Sequence, residues 1–122
     1  MKILLNSDIP IYKQISADFK ERIMNGTISA GEYLPSIRGL AKELKISVIT
    51  TMKAYEELCS EELVSAVQGK GYIVNAQDTG MIKEQYMRLL EQHLQDALDC
   101  ARLAGLSVDE VCEVLKTLGS IE

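Results

Sequence analysis

Residues 35–58 read PSIRGLAKELKISVITTMKAYEEL, and they predict two short helices in close succession. Pro35 and Ser36 are typical of a helix start, where proline is tolerated and a serine side chain caps free backbone amides. Ser47 starts the second helix after a connection of only two residues. Two short helices joined this tightly indicate a helix-turn-helix. The inner faces are formed by Ile37, Leu40, Ala41 and Leu44 in the first helix and by Thr51, Ala54, Tyr55 and Leu58 in the second.

The flanking segments extend this unit to a winged helix. Upstream, Asp8 and Pro10 predict a helix start, and the apolar residues that follow recur every four residues until an Asn-Gly pair ends the run. Downstream, the apolar and β-branched segments 63–67 and 72–75 surround the sequence QGKG, whose two glycines suit a hairpin turn that needs positive φ. Three helices followed by a hairpin give the element order of a winged helix.

A helical period returns after residue 80 and predicts two further helices. The first has an apolar stripe about 20 residues long up to Gly105, and Ser107 with Glu110 forms a capping-box pattern ahead of the second. Two amphipathic helices cannot bury both stripes on each other alone, so we expect an exposed apolar face that a second copy of the chain covers. The expected dimerisation residues are Tyr86, Leu89, Leu90, Leu94 and Leu98.

Together these segments predict a mostly helical α+β fold, with an N-terminal winged helix-turn-helix at residues 1–76 and a small two-helix dimerisation hairpin at residues 77–122. The length of 122 residues suits one compact domain with a small appendage and excludes two large domains. No apolar run approaches the roughly 20 residues needed to span a bilayer, so we expect no membrane partner and a cytoplasmic location.

The net charge of −5 is distributed unevenly along the chain. Residues 1–75 contain nine Lys or Arg and nine Asp or Glu, whereas residues 76–122 contain four basic and nine acidic residues. The acidic excess therefore lies entirely in the tail. Because an acidic tail repels a polyanion, we expect it to point away from any DNA that the front half binds.

Catalytic and metal chemistry are not indicated. Cys59, Cys100 and Cys112 are odd in number and widely spaced, and His93 is the only histidine. Such a set suits neither a disulfide framework nor a zinc site, and it is typical of small apolar side chains in a reducing cytosol. No nucleophile–base pair or phosphate-binding loop is apparent. We therefore expect no enzymatic activity, no cofactor and no metal.

The second helix of the helix-turn-helix is the expected DNA-reading element. Its outward face carries Ile49, Lys53 and Glu56, with Val48 and Met52 on one flank and Thr50 on the other. The apolar residues there either pack on the wing or the tail, or they contact thymine methyl groups in a major groove. At the helix start, free amides near Ser47 and the hydroxyls of Thr50 and Thr51 suit a phosphate oxygen.

Two further positions suit DNA contacts. The planar fork of Arg38 matches a phosphate or the edge of guanine, and the alternative is a surface ion pair with Glu43 or Glu32. At the hairpin tip, the glycines beside Lys70 leave a flexible cation that can enter a minor groove or follow the backbone. The alternative for Lys70 is a solvated lysine on a bare turn. The tip residues are Gln68, Gly69, Lys70 and Gly71.

An ordered set of short motifs covers residues 8–75. Its members are Pro10-Ile11-Tyr12, Gln14-Ile15, Gly26, Gly31, Leu34-Pro35-Ser36-Ile37-Arg38, Leu40-Ala41, Leu44, Ile46-Ser47, Thr50, Ala54-Tyr55, Leu58, Gln68-Gly69-Lys70-Gly71 and Val74. This set resembles the winged-helix domain of the GntR family of bacterial transcription regulators. The PIY opening and the short tail are similar to its YtrA-like branch, in which the tail is a two-helix dimerisation element.

The resemblance implies which residues contact operator DNA. By position these are Arg38, Ser47, Thr50, Thr51, Gln68, Gly69 and Lys70. The chain departs from the family pattern twice. Val48 stands where many members have an arginine that contacts guanine or phosphate, and Glu62 stands where a glycine usually precedes the wing.

We therefore predict a sequence-specific DNA-binding transcription regulator, a homodimeric repressor that binds a roughly palindromic operator in double-stranded DNA. The alternative is a winged helix that binds protein without reading DNA directly, which the net-zero front half and the apolar Val48, Ile49 and Met52 favour. Two helices hardly enclose a metabolite pocket, so the tail indicates no particular small-molecule effector, although a small ligand can still bind between subunits.

Overall fold

The computed structural model describes residues 1–120 and confirms the mostly helical α+β fold. Its contacts divide the chain into two compact units, residues 1–78 and the residues from Thr79 onward. In the first unit the elements are α1 (Ile11–Met24), α2 (Ile37–Leu44), α3 (Val48–Ser60), β1 (Val64–Val67) and β2 (Gly71–Val74). In the second unit they are α4 (Thr79–Ala104) and α5 (Val108–Gly119).

Local signals account for the tight turn between α2 and α3. The Ser36 hydroxyl accepts a hydrogen bond from the Gly39 amide at 3.0 Å, and the Ser47 hydroxyl accepts one from the Thr50 amide at 3.0 Å. Both serines are therefore N-caps, as predicted. Lys45 ends α2 in the left-handed region with a φ of 57°, which reverses the chain within the two-residue connection.

Tyr55 lies at the centre of the core of this unit and is fully buried. Its ring meets Phe19 of α1 edge-on at 5.8 Å between centroids and Tyr72 of β2 at 5.1 Å. Its hydroxyl donates to the Pro35 carbonyl at 2.7 Å, which ties α3 to the start of α2. Burial raises the pKa of the Tyr55 phenol well above its usual value. The phenol therefore stays protonated as a donor.

The wing is an antiparallel hairpin whose register pairs Val64 with Val74 and Val67 with Gly71. Gly69 and Gly71 have positive φ angles of 78° and 119°, as the predicted turn requires. The strand bounds differ by one residue from the predicted segments 63–67 and 72–75, and beyond the strands the Asn75 amide still donates to the Leu63 carbonyl at 2.9 Å.

The structure adds an edge segment to the wing that the sequence did not predict. Tyr33 forms an isolated bridge with Ile73, the Leu34 amide donates to the Tyr72 carbonyl at 2.9 Å, and the Val74 amide donates to the Glu32 carbonyl at 2.8 Å. The segment before α2 thus pairs with the free edge of β2. This pairing places the start of α2 beside the wing.

The start of α1 differs from the expectation. Pro10 is the N-cap residue and α1 has no side-chain cap, so Asp8 does not fill that role. Instead, the Gln14 amide group donates to the carbonyls of Leu4 and Ile9, both at 2.9 Å, and the Gln14 side-chain oxygen accepts from the Leu4 amide at 2.8 Å. Asp8 cannot cap α1 because it lies two residues before the cap position. The Gln14 side chain, from within α1, holds the preceding segment instead.

The second unit is a pair of helices. The helix α4 has 26 residues and is longer than predicted, and the Ser107–Glu110 capping box at the start of α5 is confirmed. Between Thr79 and Ser120, Ala101 is the only buried residue. An apolar groove of about 280 Å³ runs between α4 and α5, lined by Ala97, Cys100, Ala101, Ala104, Leu106, Val111 and Val114. Within residues 1–120, no helix combines the length and apolar character needed to cross a bilayer.

Candidate nucleic-acid interface

The exposed side of α3 is apolar in its first two turns. Val48, Ile49 and Met52 are 40%, 77% and 40% exposed, and none of them joins the hydrophobic core that the opposite side of α3 builds. Ile49 in particular has almost its whole side chain in solvent. The core includes the wing residues Val64 and Val74, so the alternative in which the three residues pack on the wing is not favoured.

The N-terminus of α3 carries a pair of hydroxyl groups. Ser47 is exposed and Thr50 is half-buried, and their side-chain oxygens lie 2.8 Å apart in a hydrogen bond. Because Ser47 already caps the Thr50 amide, the two hydroxyls form one local polar cluster at the positive end of the helix dipole. Such a cluster suits a phosphate oxygen.

Thr51 corrects one expectation. It is fully buried, and its hydroxyl donates to the Ser47 carbonyl at 3.2 Å. Thr51 therefore has no surface to present to DNA, although the family resemblance placed it among the contact residues. Its position follows the helical period of α3, which puts it on the same side as Tyr55 and Leu58.

Arg38 and the wing tip line a common groove. This groove has a volume of about 340 Å³, and its lining residues are Leu34, Pro35, Ser36, Ile37, Arg38, Lys70, Gly71 and Tyr72. Arg38 and Lys70 are 32 positions apart in the sequence, and both are exposed. The structure thus brings together two of the predicted cations, and it does so through the edge pairing of residues 31–34 with β2.

The alternative for Arg38, a surface ion pair, is not formed in the described part of the chain, because neither Glu43 nor Glu32 lies within salt-bridge distance of it. Glu32 instead accepts a hydrogen bond from the Ser29 amide at 3.1 Å. The guanidinium of Arg38 is therefore available to an external anion.

Some of the opposite charges in the front half pair with each other. Lys13 pairs with Glu57 at 2.8 Å and Lys20 pairs with Glu61 at 3.0 Å, so that both ion pairs join α1 to α3. The hydrogen bond from Lys13 lowers the pKa of the Glu57 carboxyl below its usual value. These acids are neutralised locally by cations of α1. Neither Glu57 nor Glu61 pairs with a cation of α2 or the wing.

The cations of α2, α3 and the wing form no ion pair among residues 1–120. They are Arg38, Lys42, Lys45, Lys53 and Lys70. Lys53 lies over the Tyr12 ring, with 4.1 Å between its ammonium nitrogen and the ring centroid. Unpaired cations that surround the start of a helix-turn-helix recognition helix suit a phosphate backbone.

Lys42, Lys45 and Tyr33 lie in this region and were not predicted as contact residues. Arg38, Lys42 and Lys45 follow an i, i+4, i+7 spacing; all three are exposed, and Lys45 is the residue that ends α2. That spacing was a usable signal for Lys42 and Lys45. Tyr33 is 44% exposed and lies against Gly71. No local pattern marks Tyr33, because its position depends on the edge pairing with β2.

The remaining tip residues Gln68, Gly69 and Gly71 are exposed, as expected for a free hairpin end.

Across the described residues, no three metal-ligating side chains come close enough to hold an ion. Burial raises the pKa of the Cys59 thiol, so it stays a neutral, mostly apolar group. The features that remain in this region are the exposed apolar side of α3, the hydroxyl pair of Ser47 and Thr50, and the cations that form no ion pair.

Comparison with known proteins agrees with this geometry. The family model described as "Bacterial regulatory proteins, gntR family" matches residues 11–74, which include the helix-turn-helix and the wing.

The chain belongs to the GntR family of bacterial regulatory proteins.

Within the GntR family, the chain is 29% identical over 114 residues to the transcriptional repressor YtrA of Bacillus subtilis. The match covers 93% of this chain and 88% of YtrA, which confirms the resemblance to the short YtrA-like branch. It is also 29% identical over 97 residues to the repressor STM4068 of Salmonella typhimurium. In that case the matched region covers 80% of this chain and 40% of the longer relative.

Solved structures of GntR proteins share the fold. A GntR family transcriptional regulator from Listeria monocytogenes aligns with a TM-score of 0.70 and 27% identity, over 93% of this chain and 98% of that one. The DNA-binding domain of AraR in complex with operator ORX1 aligns with a TM-score of 0.55 and 26% identity, over 61% of this chain and 95% of that one. This GntR member is accordingly a DNA-binding transcription regulator.

Proposed function

We propose that this GntR regulator is a homodimeric repressor that places two copies of α3 in successive major grooves of a two-fold symmetric operator. Residues 1–76 bind the DNA and residues 77–122 form the dimer. The observation that carries the proposal is the groove that Arg38 and Lys70 line, next to unpaired cations on α2. Repression follows from occupancy of the promoter, and the protein acts by binding rather than by catalysis.

The DNA-binding surface is assembled from three elements. The start of α3 supplies the hydroxyls of Ser47 and Thr50 and the apolar residues Val48 and Ile49. The helix α2 supplies the cation Arg38, and the wing tip supplies the cation Lys70. The proposed contact residues are Arg38, Ser47, Val48, Ile49, Thr50, Lys53, Gln68, Gly69, Lys70 and Gly71. In this arrangement the phosphate contacts fix the orientation and α3 reads the bases.

The dimer interface is the apolar side of α4. Tyr86, Leu89 and Leu90 are about half exposed in a single chain, and Leu94 and Leu98 remain more than a third exposed. A helix pair with a single buried residue between Thr79 and Ser120 lacks a core of its own. A second copy supplies the missing apolar contacts, and the symmetry of the dimer then matches that of the operator.

The YtrA relative and the STM4068 relative are both named as transcriptional repressors, which supports repression rather than activation. Because the partner is chromosomal DNA, the proposed site of action is the cytoplasm. The net-zero front half and the exposed apolar residues of α3 favour a second candidate, a winged helix that binds a partner protein.

Selection of bound sequences from random duplex DNA tests the proposal directly. The recovered sequence is then measured by fluorescence anisotropy at two salt concentrations, and repression is read from a reporter gene that carries the same sequence in its promoter. We expect a two-fold symmetric consensus, an affinity that falls steeply with salt, and lower reporter output when the protein is present. Failure to enrich any sequence would favour the protein-binding alternative.

A further inference from the structure

The exposed apolar residues of α3 form a continuous surface at the end of the helix that faces DNA in a helix-turn-helix. Val48, Met52 and Ile49 follow one another around the helix, and we call them the apolar arc. In this class of motif, residues in the N-terminal turns of the second helix are the ones that reach the base edges. The apolar arc therefore occupies the positions that read sequence.

Hydrogen-bonding side chains are scarce on the same surface. The helix α3 contains no Arg, Asn or Gln, the residues that make two hydrogen bonds to guanine or adenine. The hydroxyls of Ser47 and Thr50 are bonded to each other, and the ammonium of Lys53 lies over the Tyr12 ring. Glu56 follows a full turn beyond Met52, farther from the helix start. The side chains best placed to meet a base are thus apolar.

The thymine C5-methyl is the apolar group that base edges present in the major groove. We infer that this protein recognises its operator chiefly through contacts of Ile49, supported by Val48 and Met52, with thymine methyl groups. The inference rests on the proposed operator binding. The unpaired cations Arg38 and Lys70 favour DNA over a protein as the occupant of this surface, because an apolar partner surface has no use for them.

Replacement of thymine by deoxyuridine isolates the methyl group, since uracil keeps every hydrogen-bonding atom and the pairing with adenine. Each thymine of the selected operator is replaced in turn, and the affinity of the full-length protein is measured by fluorescence anisotropy. We expect at least one position in each half-site at which the replacement weakens binding about threefold to fivefold, the effect of exposing one methyl-sized group. Replacement in both half-sites should multiply the two effects, and the salt dependence should not change, because no phosphate contact is lost.

Ile49→Ala supplies the matching protein variant. Ile49 is 77% exposed, so its truncation should leave the fold and the melting temperature intact. We expect the variant to bind thymine and deoxyuridine operators equally at the sensitive position, whereas Ile49→Leu should keep the discrimination. Val48→Ala and Met52→Ala repeat the test for their own positions.

Two results would overturn the inference while leaving the proposed function in place. One is salt-sensitive operator binding that no deoxyuridine replacement weakens. The other is full discrimination between thymine and deoxyuridine in the Ile49→Ala variant. If no operator is enriched in the selection, the proposed function fails first and the inference fails with it.

Discussion

Among individual residues, Lys45 and Glu62 have positive φ angles of 57° and 62° although neither is glycine. A left-handed conformation costs an ordinary L-residue about 1–2 kcal/mol. Lys45 reverses the chain between α2 and α3, and Glu62 turns it from α3 into the wing. Glu62 is the departure from the family pattern that the sequence already indicated, and its backbone keeps the conformation that a glycine adopts easily.

Glu62→Gly should stabilise the protein. We expect the free energy of unfolding to rise by about 0.5–1 kcal/mol, because relief of the backbone strain outweighs the greater freedom of glycine in the unfolded chain. Denaturation with urea, followed by circular dichroism, measures the change. Glu21→Gly within α1 is the control and should lower stability by about 1 kcal/mol. A loss of stability in both variants would show that Glu62 carries no strain.

Arg38 is the residue whose loss should weaken DNA binding most clearly. Arg38→Ala should lower the affinity about tenfold for the selected operator and for unrelated duplexes, and it should reduce the salt slope by about 2, because one phosphate contact is lost in each half-site. Fluorescence anisotropy over a salt series measures both effects. Arg38→Lys should retain the slope. Arg102→Ala, which removes an equal charge from α4, should bind like the unsubstituted protein. If Arg38→Lys lost affinity only for the selected operator, Arg38 would read a base edge instead.

Among the secondary-structure elements, α2 has a crowded N-terminus. A Cβ atom at Gly39 would lie 2.7 Å from the Ser36 hydroxyl oxygen that caps the helix. The Cβ of an alanine at position 39 would therefore displace the Ser36 hydroxyl from its capping position. At this position a residue with higher helix propensity weakens the N-cap, so two effects that are normally independent become coupled.

A double-mutant cycle tests this coupling. Ser36→Ala should cost about 1 kcal/mol of stability through the lost cap. Gly39→Ala should be nearly neutral in the unsubstituted protein, because its gain of about 1 kcal/mol in helix propensity is offset by displacement of the cap. In the Ser36→Ala background the same change should stabilise by the full ~1 kcal/mol. Urea denaturation measures all four proteins, and equal effects of Gly39→Ala in both backgrounds would rule the clash out.

For the complete protein, the proposed function depends on the apolar side of α4. Leu90→Glu combined with Leu94→Glu should give a monomer in sedimentation equilibrium, because two buried charges oppose the interface. The pair should still bind an isolated half-site and should lose about a hundredfold in affinity for the complete operator, since the linkage of two half-site contacts is lost. Gln92→Glu adds a charge on the opposite side of α4 and should remain dimeric. A dimer that survives the double substitution would place the interface elsewhere.

The order of the elements and most of their ends were predictable from the sequence, because their causes are local. The helical period, the serine caps, the capping box and the glycines of the hairpin each act within a few residues of the position that they determine. Thr51 illustrates the strength of such signals. Its helical period pointed inward, whereas its hydroxyl near the helix start and the family resemblance assigned it to DNA, and the structure buries it.

The assembly of the candidate interface depended on contacts between distant parts of the chain. Residues 31–34, which include Tyr33, have no strand pattern of their own. They pair with β2 next to Pro35, whose carbonyl accepts the Tyr55 hydrogen bond that ties the start of α2 to α3. That pairing brings Arg38 to the wing, and among residues 1–120 Arg38 forms no ion pair. Local periodicity identifies the cations but carries no information on which acids they meet. Packing across 30 or more residues of sequence decides that, because a charge pair forms only where the folded backbone brings its members together.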